Sequence, residues 1–332
     1  MKRKTKFRLL FALGVIVAGF AFLNILAYRH AYAMMHFSSA GQQTGKPEGL
    51  SLAAKLKVLL SGVNVPRPFG KHAPAELDAA CQTLSFNSAD GVTLAAWYCN
   101  RGPASPLVVL FHGYTGEKTC LIPEAKAFLE LGASVLLVDF RGSGGSSENY
   151  TTIGVREADD VAAAFQFSHA KLSHSATVLF GQSMGAAAIL RAIHEAHITP
   201  DAIILEAVFD TMLNTVRNRF STMGLPSFPC AQLLVFWGGR QWDFNGFAHN
   251  PVEYARSVKC PALFLHGTQD PRATLAEGRR VFMAVSGPKE FREFKTAGHE
   301  AYILLQPAEW RAAVTQTLNA VAPNSTQAKT SP

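Results

Sequence analysis

The stretch ATVLFGQSMGAAAILRAI, residues 176–193, decides the fold. It begins as an apolar run of strand type, continues as a helical apolar pattern, and holds GQSMG between the two. Gly181 and Gly185 allow the sharp turn that would lift the side chain of Ser183 above a sheet, and they let the next helix pack closely. A GxSxG motif alone is modest evidence, but in a strand–turn–helix context such a serine acts as a nucleophile. We therefore predict that Ser183 is a nucleophile.

A serine nucleophile needs a general base, and the base needs a carboxylate that orients it. The segment ALFLHGTQD, residues 262–270, reads as a strand followed by a loop that carries Asp270. The segment FREFKTAGHEAY, residues 291–302, reads as another strand followed by His299. Each candidate lies just past a strand end, in the order serine, acid, histidine. This order predicts Asp270 as the orienting acid and His299 as general base and later general acid.

Two other carboxylates are alternative candidates for the acid. Glu206 and Asp210 follow the preceding predicted strand, and some hydrolases carry the carboxylate there. Helix capping or a surface charge would equally explain both residues.

The oxyanion of a tetrahedral intermediate needs hydrogen-bond donors. The backbone N–H of Met184, directly after the nucleophile, is one candidate donor. The second should come from the loop after an earlier strand, and VVLFHGYTGEK, residues 108–118, offers the N–H of Tyr114. We expect the side chain of His112 to brace this loop rather than to act as a second base.

Short apolar runs alternate with helical patterns between residues 77 and 321. Two strands in hairpin order come first, and repeated strand–helix units follow. This order predicts an α/β fold with a mostly parallel eight-stranded sheet and helices on both faces. Ligands of such sheets bind beyond the carboxyl ends of the strands. The predicted strands are 81–86, 92–98, 107–111, 134–139, 176–180, 202–207, 262–266 and 290–295.

A long insertion separates the predicted strands 202–207 and 262–266. Residues 211–256 within it are predicted to form a small helical lid over the site. Its apolar side chains would either line a substrate pocket or form a satellite core beneath the helices. These side chains are Phe220, Met223, Leu225, Phe228, Leu233 and Trp237.

The N-terminus has the features of a membrane anchor. Residues 1–8 are basic, and residues 9–28 form an apolar run about 30 Å long as a helix, which matches the hydrocarbon core of a bilayer. Positive charge before the run predicts a cytoplasmic N-terminus and an extracytoplasmic catalytic domain, on the periplasmic or extracellular side of a single-pass protein. A signal peptide cleaved after the Ala31-Tyr32-Ala33 triplet is the alternative. Residues 29–76 are predicted as a stalk, and residues 322–332 as a disordered tail.

The net charge of +7 on 332 residues does not indicate a nucleic-acid partner. Five of the positive residues lie within the first eight positions, and the remainder of the chain carries only +2. A near-neutral body lacks the basic face that binds a phosphate backbone. We therefore expect no nucleic acid as partner, and attribute the basic cluster to the membrane anchor.

The five cysteines show neither a CxxC pair nor ligand spacing with histidine, so we expect no metal site and no cofactor. Cys81 and Cys99 are equidistant from Asp90 in a probable hairpin turn, so strand pairing could place them opposite each other. A disulfide between them is possible in an oxidising compartment, and buried free thiols are the alternative.

Five motifs in order carry a resemblance to a known family: HGYTG at 112–116, DFRGSGGSS at 139–147, GQSMG at 181–185, HGTQD at 266–270 and AGHE at 297–300. Over residues 77–320 the chain resembles the α/β-hydrolase superfamily, in particular its membrane-anchored branch of serine aminopeptidase-like proteins and thioesterases or lipases. The resemblance implies the α/β-hydrolase fold, and it implies that residues 139–142 form a structural loop. That loop has neither GxGxxG nor a Walker lysine, so a nucleotide site is discarded.

The leading hypothesis is a serine hydrolase that cleaves a small-molecule carboxylic ester or thioester, on acyl or lipid-like substrates, through an acyl-serine intermediate. A serine peptidase of the aminopeptidase kind would use the same machinery, but should hold the substrate's amino group with carboxylates, and no such cluster is identifiable. A non-catalytic ligand-binding protein of this fold is a third hypothesis, although such a protein would be expected to lose part of the triad.

Overall fold

A computed structural model describes residues 2–45 and 49–321. Met1, residues 46–48 and the predicted tail at 322–332 lie outside the described residues. Eight strands form one sheet in the order β1-β2-β4-β3-β5-β6-β7-β8. Both pairings of β2 are antiparallel, and the remaining strands run parallel. The predicted α/β fold and mostly parallel eight-stranded sheet are therefore confirmed. The strands are β1 Gln82–Asn87, β2 Thr93–Cys99, β3 Leu107–Phe111, β4 Ser134–Val138, β5 Thr177–Gln182, β6 Ala202–Glu206, β7 Ala262–Gly267 and β8 Lys289–Phe294.

Burial follows from the position of each strand in the sheet. The central strands β3, β4 and β6 are buried at every residue, so their sequences are continuous apolar runs such as LVVLF. The edge strand β1 is mostly exposed and contains polar residues at alternate positions. Two apolar cores result, one on each face of the sheet.

Helices cover both faces. One core packs α4, α5, α8 and α9 on the sheet, and the other packs α3, α10 and α11 on the opposite face. The helices are α1 Lys2–Met35, α2 Leu52–Ser61, α3 Ile122–Glu130, α4 Glu157–Lys171, α5 Met184–Glu195, α6 Met212–Thr222, α7 Cys230–Gln241, α8 Pro251–Ala255, α9 Leu275–Ala284, α10 Tyr302–Leu305 and α11 Pro307–Val321.

Among the described residues, one helix is long and apolar enough to cross a membrane. It is α1, which continues to Met35, beyond the predicted end of the apolar run at residue 28. Its first part is exposed, whereas its last turns pack on the rest of the chain. This helix is consistent with single-pass anchoring in a membrane.

The segment 29–76 differs from the free stalk that its composition suggested. Phe37 donates its backbone N–H to the carbonyl of Asn149 at 2.8 Å, and Thr151 donates its backbone N–H to the carbonyl of Met35 at 2.9 Å. The helix α2 within this segment is capped at its N-terminus by Ser51. These backbone hydrogen bonds attach the segment to the part of the chain that contains the sheet. Local composition could not reveal this attachment, because the partners are distant in sequence.

The inserted region between β6 and β7 contains α6, α7 and α8. Phe220 is buried in a small separate core with Val216, Ala231 and Val235, as the satellite-core explanation requires. Phe220 and Met223 also line a cavity. In contrast, Phe228 is mostly exposed.

Candidate active site

The turn between β5 and α5 places Ser183 in a rare backbone conformation, with φ 53° and ψ −108°. A Cβ on Gly181 would lie 2.6 Å from the backbone nitrogen of Ala186, and one on Gly185 would lie 2.9 Å from the carbonyl oxygen of His112. Only glycine therefore fits at either position. The serine begins the helix at the carboxyl end of the sheet, where ligands of this fold class bind.

A continuous chain of hydrogen bonds joins the three residues that the sequence singled out. Ser183 Oγ and His299 Nε2 are 3.0 Å apart, and His299 Nδ1 donates to Asp270 Oδ2 at 2.7 Å. The backbone N–H groups of Arg272 and Ala273 donate to Asp270 Oδ1 at 2.8 and 2.9 Å. Since the proton on Nδ1 is held by the carboxylate, Nε2 is free to accept the serine proton.

The alternative acids are engaged elsewhere. Asp210 Oδ2 accepts from Arg280 Nη2 at 2.8 Å and from Asn214 Nδ2 at 3.0 Å. Glu206 accepts from Gln182 Nε2 at 2.9 Å and from Trp310 Nε1 at 3.1 Å. Both carboxylates are thus satisfied by partners other than the histidine.

Glu206 forms a buried acidic pair with Glu124 behind the serine turn. Burial raises the pKa of Glu206 to about 7, although hydrogen bonds from Gln182 and Trp310 oppose that rise. Burial, and secondarily the charge of Glu206, raises the pKa of Glu124 to about 8. The pair therefore retains at least part of its protons at neutral pH.

The loop after β3 lies against the serine. A Cβ on Gly113 would lie 3.6 Å from the Cβ of Ser183, and Tyr114 follows it directly. His112 braces this loop: its Nε2 accepts from the backbone N–H of Phe140 at 3.1 Å, so its Nδ1 carries the proton donated to the Gly113 carbonyl at 2.8 Å. Burial lowers the pKa of His112, which keeps this imidazole neutral.

The Tyr114 side chain reaches α1. Its hydroxyl donates to the carbonyl of Met34 at 2.6 Å, and burial raises its pKa to about 12. The guanidinium of Arg219 lies over its ring, 5.2 Å from the centroid. Any oxyanion role at this position therefore falls to the backbone N–H. Met184, the other predicted donor, is the first residue of α5, where backbone N–H groups have no intrahelical partner.

The glycine-rich segment after β4 is structural, as the resemblance implied. Arg141 is buried and forms an ion pair with the buried Asp160, with Nη2 and Oδ1 2.7 Å apart. A second ion pair joins Arg141 to Asp90 at 2.7 Å. Asp139 accepts the backbone N–H of Gly145 at 2.8 Å, which closes the loop on itself. Among the described residues, no cluster of three His, Cys, Asp or Glu could hold a metal ion.

A cavity of about 560 Å³ opens at the serine, and its walls are mainly apolar. Sequence reasoning missed that α1 and the segment after it form part of these walls. The signal was present in α1, where Asn24 interrupts the apolar run near its end and Arg29 and His30 follow it. Besides Ser183 and His299, the lining includes Leu23, Leu26, Ala27, His30 and Met34 of α1, Val58, Leu59 and Leu60 of α2, Val63 to Val65, Gly113 to Thr115, Val216, Arg219, Phe220, Met223, Cys230, Leu234 and Arg272.

Cys81 and Cys99, which the sequence named as a possible pair, are joined by a disulfide between the start of β1 and the end of β2. The other three cysteines are free thiols.

Comparisons with known proteins point to one superfamily. Residues 102–220 match the family described as serine aminopeptidase, S33. The lysophosphatidylserine lipase ABHD12 of Macaca fascicularis is 25% identical over 211 residues, which cover 60% of this chain and 50% of that protein. An uncharacterized protein of Mycobacterium tuberculosis is 26% identical over 230 residues, which cover 68% of this chain and 73% of that protein. The chain spans about half the length of its ABHD12 relatives.

Solved structures show the same architecture. The esterase Pf2001 of Pyrococcus furiosus superposes with a TM-score of 0.64 at 22% identity, covering 78% of this chain and 100% of that one. An esterase of Exiguobacterium antarcticum gives a TM-score of 0.54 at 18% identity, covering 71% and 98%. The sheet, the serine turn and these likenesses define an α/β hydrolase fold. The chain therefore has the α/β-hydrolase fold, and residues 102–220 resemble the serine aminopeptidase family within that fold.

Proposed function

We propose that this chain is a serine hydrolase that cleaves a carboxylic ester or thioester of an acyl, lipid-like substrate through an acyl-serine intermediate. The observation that carries the proposal is the hydrogen-bond chain from Ser183 through His299 to Asp270 at the wall of an apolar cavity. The esterase and lipase names of similar proteins agree with it.

The reaction follows from this geometry. Ser183 Oγ attacks the acyl carbonyl carbon while its proton passes to His299 Nε2, and Asp270 stabilises the imidazolium that forms. The backbone N–H groups of Met184 and Tyr114 donate to the oxyanion. His299 then donates this proton to the heteroatom of the leaving group. The bond between the acyl carbon and that heteroatom breaks, and the alcohol or thiol departs. Water, deprotonated by His299, attacks the acyl-serine and releases the carboxylic acid.

The cavity supports an ester or thioester over a peptide with a free amino terminus. A positively charged amino group would require nearby carboxylates, and no Asp or Glu lines this cavity among the described residues. We therefore favour hydrolysis of an acyl ester or thioester over aminopeptidase activity.

We also propose that α1 is an uncleaved anchor with a cytoplasmic N-terminus, and that α6 to α8 act as the lid. The basic residues before the apolar run and the Cys81–Cys99 disulfide support an extracytoplasmic body, since disulfides persist in oxidising compartments. Cleavage after Ala33 would remove Leu23 to His30 from the cavity wall, which argues against a signal peptide.

A panel of p-nitrophenyl esters of increasing chain length, with one acyl thioester and one aminoacyl amide, tests the reaction class. We expect turnover of the esters and the thioester, little turnover of the amide, and loss of all turnover in Ser183→Ala. Turnover of the amide alone would indicate a peptidase. Binding without turnover of any compound would indicate a non-catalytic ligand-binding protein.

A further inference from the structure

Helix α1 changes its surroundings near Leu23. Every described side chain before it, through Phe22, is exposed around the whole helix. Beyond it, Ala27, Ala31 and Met35 are buried. These three residues are spaced by four and therefore share one face of the helix. From Ala27 onward, this face of the helix is therefore packed against the rest of the chain rather than exposed.

The lid helix α7 holds this buried face. A Cβ on Gly238 would lie 3.1 Å from the sulfur of Met35, so glycine lets the two helices approach closely. Trp237 Nε1 donates to Asn24 Oδ1 at 3.1 Å, and the Trp237 ring meets the Tyr28 ring edge-on with centroids 5.5 Å apart. These contacts fix the position and rotation of α1 relative to the lid.

An adjacent face of α1 lines the cavity that contains Ser183. Leu23, Leu26, His30 and Met34 form this face. The helix rises about 16 Å from the first of these residues to the last. The cavity therefore extends along the helix from the serine, over a length suited to an acyl chain.

The far end of the cavity lies beside the part of α1 that is predicted to span a membrane. The apolar run at residues 9–28 is long enough to span that hydrocarbon. Leu23 lies about 7 Å along the helix from Tyr28, toward the centre of the run. With α1 anchored as proposed, a cavity that reaches Leu23 would reach the membrane interior.

Helix α2 forms part of the cavity wall beside α1. His30 Nε2 contacts the carbonyl oxygen of Leu59 at 2.9 Å and holds α2 beside α1. Leu60 lines the cavity and is also 64% exposed, so it lies where the cavity meets the outside. Leu56, one turn earlier, is exposed as well. Leu60 and Leu56 thus give α2 an exposed apolar surface beside the cavity, as a lipid-facing opening requires.

We propose that α1 is a wall of the acyl-binding pocket as well as the anchor, and that the gap between Leu23 and Leu60 admits the acyl chain of a membrane-resident ester. The ester enters from the leaflet on the same side as the catalytic body. This inference rests on the proposed function and specifies where its substrate resides. An acyl chain on this route passes from lipid to Ser183 without contacting water, so its transfer carries no penalty for exposing apolar surface.

The test uses the full chain in phosphatidylcholine vesicles and compares kcat/KM for p-nitrophenyl palmitate with that for p-nitrophenyl acetate. Leu26→Trp places a larger ring in the long arm of the cavity, so we expect the palmitate-to-acetate ratio to fall roughly tenfold or more. Ile25→Trp is the matched control, because Ile25 is exposed on the same turn and does not line the cavity. It should keep the wild-type ratio.

A second pair of variants tests the opening itself. Leu60→Asp puts a charge at the rim, which should lower palmitate hydrolysis from vesicles roughly tenfold relative to acetate hydrolysis. Met283→Asp is its control, because Met283 is exposed to a similar degree, 70%, and lies on α9 away from the cavity lining. It should keep the wild-type ratio.

The outcomes separate the two proposals. If the wild type hydrolyses both esters and neither Leu26→Trp nor Leu60→Asp changes the ratio, the membrane route is wrong and the hydrolase assignment stands. If Ile25→Trp and Met283→Asp lower the ratio equally, the effect is not specific to the opening, and the route is again wrong. If the wild type hydrolyses neither ester, the proposed function fails and the route with it.

Discussion

At the scale of single residues, the site depends on a strained serine. A non-glycine residue at φ 53° and ψ −108° is unfavourable by about 1–3 kcal/mol and persists only where the surroundings hold it. The backbone N–H of Ser183 donates to the Glu206 carbonyl at 2.7 Å, and its carbonyl accepts from Ala187 at 3.1 Å. These bonds fix the hydroxyl opposite His299, so the geometry does not have to be assembled on substrate binding.

The orienting carboxylate gives the first prediction. Asp270→Asn should lower kcat for ester hydrolysis roughly 10³–10⁴-fold, because an amide at Asp270 favours the imidazole tautomer that cannot accept the serine proton. Steady-state kinetics with a short soluble ester measures this loss. Asp210→Asn is the matched control, and it should stay close to wild-type kcat, because Asp210 pairs with Arg280 instead. A large loss of kcat in Asp210→Asn, with Asp270→Asn close to wild type, would indicate that Asp210 is the orienting acid.

The buried pair Glu124 and Glu206 gives a pH prediction. The folded chain holds protons on both carboxyls up to about pH 7 to 8, whereas the unfolded chain releases them above about pH 4.5. Between these limits the unfolded state binds fewer protons, so the free energy of unfolding should fall as pH rises, by at most about 1.4 kcal/mol per pH unit for each carboxyl. Above about pH 8 this contribution should level off.

Glu124→Gln tests that slope by thermal unfolding at several pH values. The amide cannot ionise, so the decrease in stability between about pH 5 and pH 8 should be shallower than in the wild type. Glu309→Gln, an exposed substitution in the first turn of α11, should leave the wild-type slope unchanged. Identical slopes for Glu124→Gln and the wild type would show that the pair is ionised in the folded chain.

At the scale of elements, the sheet could be predicted because strand and helix periodicities are local properties. All eight predicted strands occur, with ends shifted by no more than two residues. The serine turn was equally predictable, since its glycines and flanking elements are contiguous in sequence. Asp270 and His299 could be named because each directly follows a strand of that sheet.

The role of the N-terminal segment could not be predicted in the same way. Its composition is that of an anchor and a linker, and its contacts with α7 and with the loop before α4 join residues more than a hundred positions apart. Contacts between residues so far apart cannot be predicted from the local patterns of a single sequence. The long-range hydrogen bond from Tyr114 to Met34 is a further example.

The disulfide between β1 and β2 gives a prediction for an edge element. The bond closes a loop with a sequence separation of 18, so replacing both Cys81 and Cys99 by serine should lower the free energy of unfolding by about 3 kcal/mol. Urea denaturation measures this change. Cys120→Ser, at a free thiol, should change stability much less. Equal stability of the double variant and the wild type would mean that the bond does not form in solution.

At the scale of the whole molecule, the two parts of helix α1 lie in different environments. The part before Leu23 is exposed and suited to lipid, and the part after it is built into the body beside the serine. Under the proposed anchoring, Ser183 would therefore be held at a fixed distance from the membrane. Substrates that reside in the bilayer would be presented to the site at one orientation.

Membrane topology gives the corresponding prediction. In spheroplasts, protease added outside should remove an epitope tag placed after residue 332 and leave an N-terminal tag intact, because the N-terminus is expected in the cytoplasm. Both tags should be found on one chain before digestion. Protection of the C-terminal tag would reverse the orientation, and loss of the N-terminal tag before digestion would indicate a cleaved signal peptide.

The central claim, that Ser183 is the nucleophile activated by His299, is tested most directly by covalent labelling. The full chain is treated with a fluorophosphonate, digested and analysed by mass spectrometry to locate the adduct. We expect one adduct, on the peptide that contains Ser183, absent from Ser183→Ala and greatly reduced in His299→Ala. An adduct on another residue, or undiminished labelling of Ser183→Ala, would contradict the account.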